Sequence, residues 1–266
     1  MTLVWDRVIT RRGISCRALR GGPSSGRPIV YFHSAVGLTA DDAVLATLAE
    51  AHPVIAPELP GYGESTGEEL LDDMLDFTLH GWDVVSSLGL DRPILVGHSM
   101  GGMIAAEMAA LSPERSAGLV LIAPLGLWLD EHPIPDIFAT LPHDVPALLF
   151  EDPAVGAARL TGGVDFSDTD ALIEFFVGNA KRLGTAGKIL FPIPNRRLSK
   201  RLYRLEAPTL LVWGAADRYV PLAYADAWAT LVPGAEVVVV PSAGHMVPVE
   251  QPAAVAALIE AFLEKV

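Results

Sequence analysis

Apolar positions along this chain fall into two alternating patterns. Short, nearly continuous apolar runs occur at Ile29-Val30-Tyr31-Phe32, at Pro93-Ile94-Leu95-Val96 and at residues 118–123, 209–213 and 236–240. Runs of that length and composition predict strands buried on both faces. Between them lie longer amphipathic stretches that predict helices over residues 39–51, 70–88, 100–111, 222–231 and 252–265. Thr39, followed by Asp41 and Asp42, suits a helix start, where a hydroxyl caps and early acids oppose the dipole. At the N-terminus, residues 4–9 and 14–19 flank Thr10-Arg11-Arg12-Gly13 and predict an antiparallel hairpin. From Pro28 onward the strand–helix alternation implies a mostly parallel α/β sheet with helices on both faces.

After residue 123 the alternation stops. Residues 126–202 carry Pro133, Pro135, Pro142, Pro146, Pro153, Pro192 and Pro194, a pattern of short helices joined by kinked connections, the strongest helix spanning 168–183. The expected organisation is a core domain over 1–125, a helical cap inserted over 126–202, and the rest of the core over 203–266.

One pentapeptide, Gly97-His98-Ser99-Met100-Gly101, sits between the strand at 93–96 and the helix that follows. In that context G-x-S-x-G is a nucleophile elbow, a strand-to-helix turn sharp enough to hold its serine in a strained conformation. The flanking glycines are needed because a larger side chain would collide with the neighbouring strand or helix. The helix N-terminus directs N–H groups and the positive end of its dipole at Ser99. A serine hydroxyl needs a base and a group that orients the base. Downstream, the strand at 209–213 leads into Gly214-Ala215-Ala216-Asp217, and the strand at 236–240 into Pro241-Ser242-Ala243-Gly244-His245. Asp217 and His245 therefore fall in loops past the C-terminal ends of strands, the edge where sites form in open α/β sheets.

These residues, with Gly102, Trp213 and the loop Pro60-Gly61-Tyr62-Gly63-Glu64-Ser65, resemble the α/β-hydrolase superfamily from about residue 29 to the C-terminus, apart from the insertion. The resemblance implies an eight-stranded, mostly parallel sheet with an inserted helical cap. It implies Ser99 as nucleophile, His245 as general base and then acid, and Asp217 as the orienting carboxylate. The backbone N–H of Met100 would be one oxyanion donor. Where the family reads His-Gly-x, this chain reads His33-Ser34-Ala35; Ala35 would supply the second N–H, and Ser34 stands in the glycine's place. Glu58 stands where the family usually carries aspartate. Asp130 is a rival acid, since some members take it from after the sixth strand, and Asp217 is preferred by position.

Carboxylic ester hydrolysis through an acyl-enzyme is the default expectation. Hydrolysis of a carbon–carbon bond in a vinylogous diketone and a weakly catalytic ligand receptor remain open. Dehalogenases and epoxide hydrolases of similar sequence carry aspartate where Ser99 stands. In the cap, Trp128, Ile137, Phe138, Leu148, Leu149, Phe150, Phe166, Phe175, Phe176 and Phe191 favour an apolar acyl or alkyl group. The run Arg196-Arg197-Leu198-Ser199-Lys200-Arg201 reads as a solvated face, with a carboxylate site as the alternative. His98 is expected to point away from the nucleophile, and His33 to bond loop backbone. His52, His80, His132 and His143 show no metal-ligand spacing, so no metal or cofactor is implied.

Composition narrows the class. At 266 residues and 51% hydrophobic the chain can bury a large core. A net charge of −13 opposes a nucleic-acid partner. The lone Cys16 leaves no internal disulfide and reads as a semi-buried apolar residue on a strand. No basic leader and no apolar run of roughly 18 residues is present, so the expectation is a cytoplasmic enzyme of a small-molecule substrate without a membrane partner. The oligomeric state is open.

Overall fold

A computed structural model describes residues 3–193 and 197–266; Pro194 and Arg196, named above, lie outside the described residues. Eight strands form one sheet: β1 (Val4–Ile9), β2 (Ser15–Gly21), β3 (Ile29–Phe32), β4 (Val54–Pro57), β5 (Ile94–His98), β6 (Gly118–Ile122), β7 (Thr209–Gly214) and β8 (Glu236–Val240). Their order is β1-β2-β4-β3-β5-β6-β7-β8. β1–β2 and β2–β4 pair antiparallel and every other pair is parallel, as the alternation predicts.

The central strands bury both faces, which is why they read as continuous apolar runs. Val30, Phe32, Leu95, Leu119, Leu121, Leu211 and Trp213 point to one side. There they meet α2 (Met74–Ser87) and α3 (Met100–Leu111). Ile29, Tyr31, Ile94, Val96, Val120, Ile122, Leu210 and Val212 point to the other, toward α1 (Ala43–Leu48) and the C-terminal helix Pro252–Leu263. Between β6 and β7 come α4 (Val145–Leu149), α5 (Pro153–Thr161) and α6 (Thr169–Leu190); α7 (Ala223–Leu231), α8 (Val247–Glu250) and α9 (Pro252–Leu263) complete the chain.

Helix starts differ from the periodic pattern where an aspartate caps. α1 begins at Ala43 and not near residue 39, because Asp42 accepts from Leu45 N–H at 2.9 Å. α2 begins at Met74, capped by Asp73, and Glu68–Leu70 is only a 3₁₀ turn. α6 runs to Leu190, past the expected 183, because Thr185, Ala186, Ile189 and Leu190 bury its last turns. Gly184 and Gly187 mask that continuation in sequence. Cys16 is fully buried on β2, more than the sequence suggests, and burial pushes its thiol up to about 12.

The junction of β5 and α3 fixes the centre of the sheet. A methyl group on Gly97 would lie 2.7 Å from Gly102 Cα, and one on Gly101 would meet the carbonyls of Phe32 and His33. α3 is buried on all sides from Met100 to Ala110, as expected of a helix without a polar face. Gly97→Ala should therefore lower stability by about 2–3 kcal/mol, read as a urea-midpoint shift. An unchanged midpoint would mean that β5 and α3 can separate without cost.

Besides His245, three histidines are buried: His33, His80 and His98. Burial depresses His33 and His80 to about 4 and His98 to about 3. The sign follows directly. Well above pH 6.5 these rings are neutral in both states. Below it the unfolded chain takes up protons that the folded chain refuses, so stability is lost as pH falls toward those folded values. Neither ring nitrogen of His80 has a partner among the described residues. His80→Phe should therefore hold stability at pH 7 and flatten the decline between pH 6.5 and 4.5 by on the order of 1 kcal/mol per pH unit. Equal pH slopes in urea unfolding would overturn this.

Candidate active site

β5 ends at His98, and Ser99 turns the chain into α3 with φ 57° and ψ −116°. A non-glycine residue with that φ is strained, and the surroundings hold it there. Ser99 N–H donates to Ile122 O at 2.8 Å, and Ser99 O accepts from Met103 N–H and Leu125 N–H, each at 3.1 Å. The next residue, Met100, opens α3.

Ser99, His245 and Asp217 come together from three strand ends. His245 Nε2 lies 2.8 Å from Ser99 Oγ, and His245 Nδ1 lies 2.9 Å from Asp217 Oδ2. A carboxylate only accepts, so the proton sits on Nδ1 and Nε2 is left to accept from the serine. Asp217 Oδ1 accepts from Tyr219 N–H at 2.9 Å and Val220 N–H at 2.8 Å, which aims Oδ2 at the imidazole. All three side chains are buried. Asp130 is elsewhere: its Oδ1 accepts from Trp128 Nε1 at 2.9 Å, on the surface.

The backbone around His245 is held from three directions. Gly244 N–H donates to Glu250 Oε2 at 2.8 Å. His98 Nε2–H donates to His245 O at 2.8 Å, with its ring 5.3 Å from the His245 ring, and so helps to hold the histidine loop. Met246 N–H donates to Leu149 O at 3.0 Å, a contact with the segment between β6 and β7. Tyr219 packs its ring edge-on to His245 at 4.9 Å.

The loop 33–37 explains how serine replaces glycine. Ser34 Oγ accepts from Val36 N–H at 3.2 Å, and Ser34 O accepts from Gly37 N–H at 3.1 Å, closing a tight turn. His33 Nδ1–H donates to the same Ser34 O at 2.7 Å while Nε2 accepts from Leu59 N–H at 3.0 Å. Anchoring that carbonyl also orients the Ala35 N–H on the opposite side of the trans peptide. Ser34 and Ala35 line the same cavity as Ser99 and His245. Glu58 lies outside the cavity lining and pairs through both oxygens with Arg17, each contact at 2.8 Å. A glutamate reaches that guanidinium where an aspartate would be shorter.

A cavity of about 20 Å³ lies over Ser99 and adjoins a second of about 30 Å³. Leu125, Ile137, Leu149, Leu190 and Met246 give the Ser99 chamber apolar walls. Trp128 lines the adjoining chamber, which shares Leu125, Leu190 and Tyr219 with it. Of the bulky residues singled out in sequence, Phe166, Phe176 and Phe191 face outward instead. Leu125, Leu190, Tyr219 and Met246 escaped the sequence reading, having no signal beyond apolarity. In the basic run, Arg201 pairs with Glu107 through Nε at 2.7 Å, remote from Ser99. Among the described residues no cluster of three metal-ligating side chains exists, and no helix is long and apolar enough to cross a membrane.

Comparison with known proteins gives the family. A family model described as the alpha/beta hydrolase family matches residues 21–258. The dihydrolipoyllysine-residue acetyltransferase component of the acetoin cleaving system of Pseudomonas putida is 31% identical over 92% of this chain; the chain spans 65% of that relative's length. The 2-hydroxy-6-oxo-6-phenylhexa-2,4-dienoate hydrolase of Burkholderia cepacia is 28% identical over 85% of this chain and 78% of its own. Carboxylesterase CesB of Bacillus subtilis superposes with a TM-score of 0.77 at 22% identity, over 99% of this chain and 92% of its own, a likeness of fold. From its elbow to its sheet order, this chain belongs to the alpha/beta hydrolase family.

Proposed function

We propose that this protein is a serine hydrolase that cleaves a small, largely apolar carboxylic ester through an acyl-enzyme. The observation that carries the reading is the hydrogen-bonded line from Ser99 through His245 to Asp217 beneath an apolar chamber. His245 Nε2 takes the Ser99 proton as Oγ attacks the ester carbonyl, and Asp217 stabilises the imidazolium that forms. The oxyanion develops beside the N–H groups of Met100 and Ala35, at the positive end of α3. His245 then protonates the departing alcohol. Water, activated by the same nitrogen, attacks the acyl-enzyme and releases the acid.

Cleavage of a carbon–carbon bond next to a ketone is the second reading, favoured by the 28% identical relative named for a dienoate substrate. The apolar walls Leu125, Ile137, Leu149, Leu190 and Met246 favour the uncharged ester, since a buried carboxylate needs a compensating partner.

A panel of p-nitrophenyl esters, lactones and ring-cleavage diketones decides. Short-chain esters should give multiple turnovers, with rates falling as the acyl group outgrows the chamber. Turnover confined to the diketones would favour the second reading, and a single slow turnover would leave a receptor on a hydrolase scaffold. Ser99→Ala should lose activity by up to about a millionfold while staying folded; retained activity would remove Ser99 from the chemistry.

The two acids separate by mutation. Asp217→Asn should cost roughly 10⁴ in kcat, because an amide favours the wrong histidine tautomer. Asp130→Asn, at an exposed residue bonded to Trp128, should leave kcat within about twofold. The opposite ranking would transfer the orienting role to Asp130.

A further inference from the structure

Glu250 has no part in the proton path, yet both of its oxygens are committed. Oε2 accepts from Gly244 N–H at 2.8 Å, and Oε1 accepts from Glu151 N–H at 2.6 Å. Gly244 immediately precedes His245, and Glu151 lies in the connection between α4 and α5, in the segment that covers the sheet edge. The carboxylate thus bridges that covering segment and the histidine loop at the last residue of α8.

The same two pieces of chain are sealed together around it. Met246 N–H donates to Leu149 O at 3.0 Å on the other side of His245. At Gly244 there is no room even for a methyl group, which would lie 2.9 Å from Glu151 N and 3.0 Å from Leu149 O. Arg218, next to Asp217, donates to Ala147 O at 2.9 Å and Phe150 O at 3.0 Å. The α4–α5 connection is therefore fastened to both loops that deliver the histidine and the acid. Within that seam the Glu250 carboxylate faces two backbone donors and the Arg218 guanidinium two carbonyls, and such charge-assisted bonds are roughly twice as strong as neutral ones.

We infer that Glu250 is a positioning residue: its carboxylate couples the α4–α5 connection to Gly244 and thereby holds His245 within bonding distance of Ser99 and Asp217. The inference rests on the proposed serine-hydrolase reading. It gives the cover over the site a second task, because one side chain bonds both it and the loop that carries the base. The carboxylate also adds negative charge near the imidazole. The other titratable or charged groups around His245 are Asp217, His98 and Tyr219 in contact, with Glu151 and Arg218 behind the loops.

The test is the rate of Ser99 labelling by a fluorophosphonate, measured from pH 5 to 9 in wild type, Glu250→Gln and Glu250→Asp. The amide of Gln turns a donor toward one of two N–H groups, so labelling should slow by roughly 10- to 100-fold. Loss of the negative charge should also lower the pH at which the rate reaches half its plateau, by on the order of half a unit. Asp keeps the charge and shortens the reach, so labelling should slow while the half-plateau pH stays near wild type. NMR titration of the His245 Cε1 proton should repeat the shift in Glu250→Gln without any substrate. A wild-type enzyme that the probe does not label would sink the hydrolase reading. Labelled wild type with variants of equal rate and equal half-plateau pH would overturn the role of Glu250, including where their Tm falls, since that outcome describes a structural contact alone.

Discussion

Everything at this site depends on how closely β5 approaches α3. Gly97, Gly101 and Gly102 let strand and helix meet with no side chain between them, and Ser99 takes up the resulting strain at φ 57°. Such strain persists only where the surroundings over-determine it. Here the Ser99 backbone bonds to β6 and to the chain just beyond it, at Ile122 and Leu125, so the sheet holds the turn. The serine is consequently presented at a fixed point, with a buried helix N-terminus aimed at it. The other groups need only be brought to that point.

They are brought by backbone contacts more than by side-chain packing. Asp217 is aimed by two N–H groups of its own loop, Ala35 by a carbonyl that His33 and Gly37 anchor, and His245 by Glu250, His98 and Leu149. Burial keeps His98 neutral, so it holds the loop without adding positive charge beside the base. Electrostatic catalysis requires donors and dipoles that are already in place when charge develops, and this network supplies that order.

The parallel sheet was legible in sequence because strands buried on both faces leave an unbroken apolar signature. The elbow was legible because glycine spacing and flanking elements both report the same close approach. Helix starts were less so: Asp42 and Asp73 fix where helices begin by capping them, and periodicity alone places no such boundary. The chamber was the least legible part. Ile137, Leu149 and Leu190 reach it from three separate segments, whereas Phe166 and Phe176, equally apolar, face outward. Composition cannot distinguish these, since the path of the chain between β6 and β7 decides. Glu250 escaped notice for a related reason, because its partners are backbone groups that leave no pattern in sequence.

The central claim is that acyl transfer passes through Ser99. Rapid-quench peptide mass spectrometry during turnover of p-nitrophenyl butyrate tests it most directly. The account requires a butanoyl group on the peptide containing Ser99 within the first turnover, disappearing as substrate is exhausted. Full turnover with no acyl group on that peptide, or a butanoyl group on another residue formed at the turnover rate, would contradict it.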